Sequence, residues 1–310
     1  MDRRGFLKTW LAAAGAAAAF SAGGRPVMGA ETPAPEKPKE DKAAPEKPRK
    51  EAVLKLCSQD GRVPGKSLKE KVDNLLKWGG VGIEFGGLDL SRAKQLKAEL
   101  AGSGIGVAAL CSGYFPLIDP DEAKRKQGVE GIKKQLDAAA EIGSTGVIVV
   151  PAFNGHAQLP FDEGRKVLVD LCPAIGEYAK KVGNRILFEP LNKGEARFFN
   201  RLEQAAGVCR DSKAEGICMM GDFYHMCKEE KDDEAAFITA GPYLHHVHLA
   251  SRARNLPGQD DRSFVAGFRG LKKIGYQDYC SLECGVRGDP VVEIPKSFEL
   301  LKKQWQEAVI

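Results

Sequence analysis

From Ala52 onward the apolar residues follow two alternating patterns. Short runs of Val, Ile, Leu and Phe have the length and residue types of buried strands. Between them, apolar residues recur at helical spacing over longer stretches. The runs predict strands over 53–58, 82–85, 106–111, 145–150, 185–189, 217–222, 244–249 and 279–283. The periodic stretches predict helices over 67–78, 91–103, 121–142, 162–182, 200–211, 232–240, 263–274 and 291–306. Several of these helices open on Ser, Asp or Asn, whose side chains accept from the free N–H groups of a first turn. Gly104, Gly143, Gly183, Gly216 and Gly275 stand just before strands, where a left-handed helix end is expected.

Eight β/α pairs in residues 52–310 predict a single (β/α)8 TIM barrel. A doubly wound open sheet competes less well, because no Gly-x-Gly-x-x-Gly turn follows the first strand. The preceding residues follow neither pattern. Arg3-Arg4-Gly5-Phe6-Leu7-Lys8 leads into an alanine-rich apolar run over 10–22, with small residues near Ala30. Residues 1–30 therefore read as a signal peptide. The paired arginines resemble a twin-arginine export signal, although Asp2 departs from the usual Ser or Thr. The apolar run is shorter than the roughly 20 residues of an ordinary membrane span. Residues 31–51 are Pro, Lys, Glu and Ala without apolar periodicity, and read as a disordered linker. The expected location is periplasmic, with contact to the membrane only through the export signal.

Charge narrows the partners. Of the net +4, residues 1–51 carry +3, so the barrel is nearly neutral and its bulk charge offers no nucleic-acid signal. Eight cysteines without a CxxC pair do not make a disulfide scaffold. Cys280 and Cys284 read as small core residues.

In such a barrel, chemistry gathers at the C-terminal ends of the strands. The fifth strand ends in Phe188-Glu189-Pro190-Leu191-Asn192, and the sixth in Gly221-Asp222-Phe223-Tyr224-His225. The seventh ends in His246-Val247-His248-Leu249, and the eighth in Leu282-Glu283-Cys284. Glu189, Asp222, His248 and Glu283 thus close four consecutive strands. Three crowded carboxylates would repel one another unless a cation lay between them. Three oxygen donors and one imidazole suit Mn²⁺, Mg²⁺ or Co²⁺ better than a structural zinc.

These residues resemble the xylose-isomerase-like barrel superfamily of sugar isomerases and epimerases, over about residues 52–310. In motif the ketose 3-epimerase branch (tagatose and psicose epimerases) is nearest. The resemblance implies one divalent metal ion, most readily Mn²⁺, held by Glu189, Asp222, His248 and Glu283. It also implies Glu195, His225 and Arg254 as substrate-binding residues, at the branch's offsets from those ligands. Its chemistry would be metal-assisted epimerisation or isomerisation of a sugar through an enediolate. Glu189 and Glu283 would be the acid/base pair, with His225 and Arg254 donating to developing negative oxygen.

Two further rim residues are expected to reach substrate: Glu84, after an apolar strand, and His156, in the loop after the fourth strand. His246 shares the barrel-facing parity of His248 and should pack in a lower layer or bond to a neighbour. Tyr114-Phe115 could cover the sugar. Hydroxypyruvate-type isomerases and keto-sugar or keto-inositol dehydratases or lyases share the early chemistry and stay open. So does a non-catalytic sugar-binding protein. A three-zinc DNA-repair site needs several histidines in the first half of the barrel, and the first here is His156. The expected partner is a small-molecule sugar or keto-sugar, not nucleic acid. A homo-oligomer fits the family, but no interface is legible.

Overall fold

The computed structural model describes residues 50–310. The expected export signal and nearly all of the expected linker lie outside the described residues. Eight parallel strands close into a barrel in chain order. They are β1 (Lys55–Gln59), β2 (Gly82–Gly86), β3 (Gly106–Tyr114), β4 (Val147–Val150), β5 (Ile186–Phe188), β6 (Ile217–Asp222), β7 (Leu244–Leu249) and β8 (Tyr279–Leu282). β1 pairs with both β2 and β8, so the sheet has no edge and the open alternative fails. The outer helices are α1 (Leu68–Trp78), α2 (Leu90–Leu100), α3 (Glu122–Ile142), α4 (Phe161–Lys181) and α5 (Leu202–Ser212). They continue as α6 (Phe223–Glu229), α7 (Asp233–Ala240), α8 (Val265–Lys273) and α9 (Pro290–Glu307). No helix among the described residues is long and apolar enough to cross a membrane.

The local signals act as their chemistry requires. Ser67, Asp89, Asp121, Asp232 and Asp289 each accept a backbone N–H from the first turn of α1, α2, α3, α7 and α9. Gly143 ends α3 at φ 77°, and its N–H closes the last turn on Ala139 and Ala140. α6 is the helix the pattern did not predict. It is seven residues long, too short for periodicity, and is capped by Asp222 itself.

Strand residues alternate between two environments. Outward side chains such as Ile83, Val149, Phe188 and Val247 pack with the helices in one large core. Inward, Ala109, Ile148, Leu187 and Met220 form a separate apolar cluster from β3 to β6. On β1, β2, β7 and β8 the interior is polar instead, with Cys57, Glu84, His246, His248 and Ser281 fully buried. At the opposite mouth from the site, Tyr279 leans across the strand starts. A Cβ at Gly82 would lie 2.6 Å from its ring, and one at Gly106 would collide with its hydroxyl. Both positions must therefore be glycine for Tyr279 to occupy that space.

Candidate active site

Four consecutive strand ends bring Glu189, Asp222, His248 and Glu283 together, with one ligand atom from each within 4.8 Å of all the others. His248 Nδ1 stands 3.3 Å from Glu283 Oε2 and 3.7 Å from Glu189 Oε1. Asp222 spends Oδ1 on the Tyr224 N–H, which starts α6, and leaves Oδ2 buried without a partner. His248 Nδ1 is likewise buried without a partner. Two unpaired buried acceptors facing further carboxylates are costly. A divalent cation satisfies them, and three carboxylates with one imidazole suit a hard or borderline ion. The residues present therefore fit a metal.

His225, in the first turn of α6, aims Nε2 at the same point, 3.5 Å from Asp222 Oδ2 and 3.9 Å from Glu189 Oε1. Its Nδ1 accepts the Asn192 backbone N–H at 3.1 Å. That bond fixes the tautomer, so Nε2 carries the hydrogen and points into the site. Arg254 reaches in from the loop after β7, on a left-handed backbone with φ 56°. Its guanidinium donates to Glu283 Oε2 at 2.9 Å and to Glu195 at 3.2 Å, and lies over the Tyr224 ring at 4.7 Å. The Arg254 carbonyl accepts the Gly285 N–H at 2.7 Å, which ties this loop to the end of β8. Glu195 also accepts from the Asn192 amide.

The environment drives the carboxyls apart. Burial, with the negative charge of Glu283, pushes Asp222 well up, and burial also raises Glu189. Burial works on Glu283 too, but His248 and Arg254 overcome it and lower the carboxyl to about 2. Burial, with the charge of Arg254, holds His225 down to about 3, so its imidazole stays neutral.

Of the two further residues expected on the rim, the structure moves one. Glu84 is not on the rim; it lies inside the barrel with no exposure, one layer below the cluster. Both of its oxygens are taken, by Gln59 at 2.9 Å, His246 at 2.8 Å and His248 at 3.1 Å. Nothing is left over for a substrate hydroxyl. His246 has the neighbour that its parity called for. His156 is exposed and stacks on Tyr114, with ring centroids 4.0 Å apart and planes within 5°. It lies on the loop after β4 where it was expected, and its ring contacts are Tyr114 and Phe153. Two contributors escaped the sequence. Gln59, ending β1, joins Glu84 to Glu283 through one amide. Asn192 lies in the run quoted for Glu189, but its partner His225 is far away in sequence.

Comparison with known proteins covers the stretch of chain that carries these residues. The family described as xylose isomerase-like TIM barrel matches residues 72–304, and the chain belongs to it. It is 29% identical over 246 residues to the 3-dehydro-D-guloside 4-epimerase of Escherichia coli (strain K12), covering 76% of this chain and 94% of that protein. It is 26% identical over 204 residues to the L-ribulose 3-epimerase of Mesorhizobium japonicum, covering 65% of this chain and 66% of that one. The apo crystal structure of E. coli 3-keto-D-glucoside 4-epimerase superposes with a TM-score of 0.74 at 27% identity, over 81% of this chain and all of that one. These relatives are epimerases, and the chain is an enzyme of that isomerase class.

Proposed function

We propose that the chain epimerises a keto-sugar at the carbon beside its carbonyl, with a divalent metal ion held by Glu189, Asp222, His248 and Glu283. The observation that carries this reading is the convergence of those four groups with two buried acceptors left unpaired. The bound ion, Mn²⁺ on this reading, would supply Lewis-acid stabilisation of negative charge on the substrate oxygens.

The chain's own residues do the rest. Glu189 and Glu283 come from β5 and β8, strands that are not neighbours, and enter the site from different sides. One, as the carboxylate, takes the proton beside the carbonyl and leaves an enediolate; the other, as the protonated carboxyl, gives its proton to the opposite face, and exchange with solvent resets the pair. The starting epimer decides which carboxylate begins. His225 donates its Nε2 hydrogen to the oxygen that gains charge, and its low basicity keeps it a neutral donor. Arg254 and Glu195 form a polar clamp for substrate hydroxyls, with Tyr224 supporting the guanidinium.

The E. coli names, 3-dehydro-D-guloside 4-epimerase and 3-keto-D-glucoside 4-epimerase, give the two epimers of one reaction, and they favour a ring keto-glycoside over a free ketose as substrate. Both substrates put the reacting hydrogen next to a carbonyl. The export of the folded barrel by the twin-arginine route belongs to the same proposal. It predicts that changing Arg3 and Arg4 to lysine leaves the protein in the cytoplasmic fraction.

Proton exchange in heavy water tests the chemistry. The metal-loaded chain is given 3-keto-glycosides, free ketoses and aldoses, and the products are read by NMR. Deuterium entering beside the carbonyl, with inversion there and loss of both on chelation, is the expected result. Exchange without inversion would favour an isomerase or lyase. Binding without exchange would favour a sugar-binding protein.

A further inference from the structure

Below the four convergent groups lies a second polar layer that the proposed chemistry does not use. Glu84 sits at its centre, met by the Gln59 amide and two imidazoles. His246 Nε2 approaches Oε2 at 2.8 Å, His248 Nε2 approaches both oxygens at 3.1 Å, and Gln59 Nε2 meets Oε1 at 2.9 Å. An amide nitrogen and two imidazole nitrogens within 3.1 Å of one side chain suit a carboxylate that accepts from all three. Since an ionised carboxylate only accepts, both imidazoles must carry their hydrogen on Nε2. For His248 this matters. With the hydrogen on Nε2, the lone pair is on Nδ1, and Nδ1 is the atom that faces Glu189 and Glu283. In the other tautomer Nδ1 would bear a hydrogen and could not bind a cation.

We infer that Glu84 is a positioning residue: from inside the barrel it holds His248 in the tautomer and ring orientation that presents Nδ1 to the metal site. Carboxylates that accept from the far nitrogen of a ligating imidazole raise its basicity as well as orienting it. Gln59 extends the same hold to Glu283, through its 3.1 Å bond to Oε1. One buried carboxylate thus sets one ligand directly and steadies another. The inference rests on the metal site proposed above.

Glu84→Gln keeps the shape and changes the pattern. One oxygen becomes an NH₂, which needs an acceptor where the Gln59 amide and two imidazoles stand. An imidazole must turn its lone pair towards the amide, or the amide must turn away. His248→Asn and His246→Gln serve as references, the first deleting the ligand and the second deleting only a neighbour in the layer.

Mn²⁺ affinity of the full chain is measured by titration, and fold by thermal melting. The chain has five histidines, so ¹⁵N NMR of the Zn²⁺-loaded form can assign each tautomer. Wild type should bind one ion per chain, with His248 ligated through Nδ1 and protonated on Nε2. Glu84→Gln should weaken Mn²⁺ binding by roughly 10- to 100-fold. His246→Gln should stay within threefold of wild type. Wild type ligated through His248 Nε2 would overturn the inference without any variant, even if Glu84→Gln fails to fold. So would a folded Glu84→Gln with unchanged affinity, or an equal loss in His246→Gln, which would make the layer mere packing. A second ion held by Glu84, His246 and His248 would overturn it too. If wild type binds no ion, the metal site itself fails and the inference falls with it. Loss confined to Glu84 variants would leave the metal site standing.

Discussion

If Glu189 and Glu283 act on opposite faces of one carbon, removing either should separate exchange from inversion. The perturbation is Glu283→Gln in one variant and Glu189→Gln in another. Glutamine keeps the volume of each side chain and cannot ionise. For Glu283 the structure shows what else changes. Oε2 accepts from Arg254 at 2.9 Å and Oε1 from Gln59 at 3.1 Å. A glutamine has one acceptor oxygen for those two donors. One charge-assisted bond is lost, which costs roughly 1–3 kcal/mol of stability. For a barrel of this size that lowers Tm by a few degrees, so the variant should remain folded.

Chemistry suffers more. A positioned acid or base contributes about 10²–10⁴ in rate, or about 3–5 kcal/mol of barrier. Epimerisation should therefore fall by at least about 10² in both variants. Exchange should divide between them. In Glu283→Gln, Glu189 still faces one side of the carbon. The epimer whose hydrogen lies on that side should continue to take up deuterium without inverting. Glu189→Gln should show the reverse, with the other epimer exchanging. The assay incubates each epimer with each variant in heavy water at saturating metal, and reads label and configuration after quenching. Inversion by Glu283→Gln at more than a tenth of the wild-type rate would refute the two-carboxylate assignment. Loss of exchange from the same epimer in both variants would refute the opposite-face geometry.

Other positions give sharper or cheaper checks. On the proposed role of His225 as a donor to substrate oxygen and not a ligand, His225→Gln should cut kcat by about 10² with Mn²⁺ affinity unchanged; titration beside kinetics separates the two. Because His225 is held down to about 3, the pH–rate profile should show no limb near the ordinary histidine value. Metal loading should release protons, since burial raises Asp222 and Glu189 and only their ionised forms bind a cation. Affinity should then climb as pH rises through those raised values, and calorimetry in buffers of different ionisation enthalpy reads the proton count. Gly82→Ala should cost about 1–3 kcal/mol in urea unfolding, because the new Cβ would lie 2.6 Å and 2.8 Å from the Tyr279 ring. Adding Tyr279→Ala should remove most of that increment in a double-mutant cycle, leaving only the 3.1 Å approach to Cys57 Cβ.

The ease of reading each feature follows from how local its signal is. Strand and helix order was legible because each element declares itself within about ten residues. Boundaries moved by up to three residues where the pattern is mute, as at the ends of α2 and β3. β5 stops at Phe188 because the ladder runs out of donors: the Glu189 N–H still bonds Val149 of β4, but Pro190 has no N–H and the Leu191 N–H turns to Phe199. The four convergent groups were legible because a barrel turns equal spacing along the chain into neighbourhood at one mouth. α6 was missed because its cause is a single carboxylate capping seven residues.

Glu84 shows where such reading stops. Its parity on β2 puts it inside the barrel, and that much the alternation allows. What it touches depends on which residues of β1 and β7 reach the same height, and strand register is not written in any one strand. β2 pairs with β1 through Gln59 opposite Glu84, while β7 joins the circle five strands after β2. The meeting of Glu84 with His246 and His248 spans the barrel interior, over 162 and 164 residues of chain. Three donors of a buried layer had to be known before the acceptor's role changed from holding a substrate to holding a ligand. A carboxylate at a strand end is read from its neighbours in sequence; one inside a barrel is read only from its neighbours in space. That difference also explains why the interior is polar on one half and apolar on the other. The apolar half, around Ile148 and Leu187, needs only shape, whereas the half beneath His248 must also fix where a hydrogen sits.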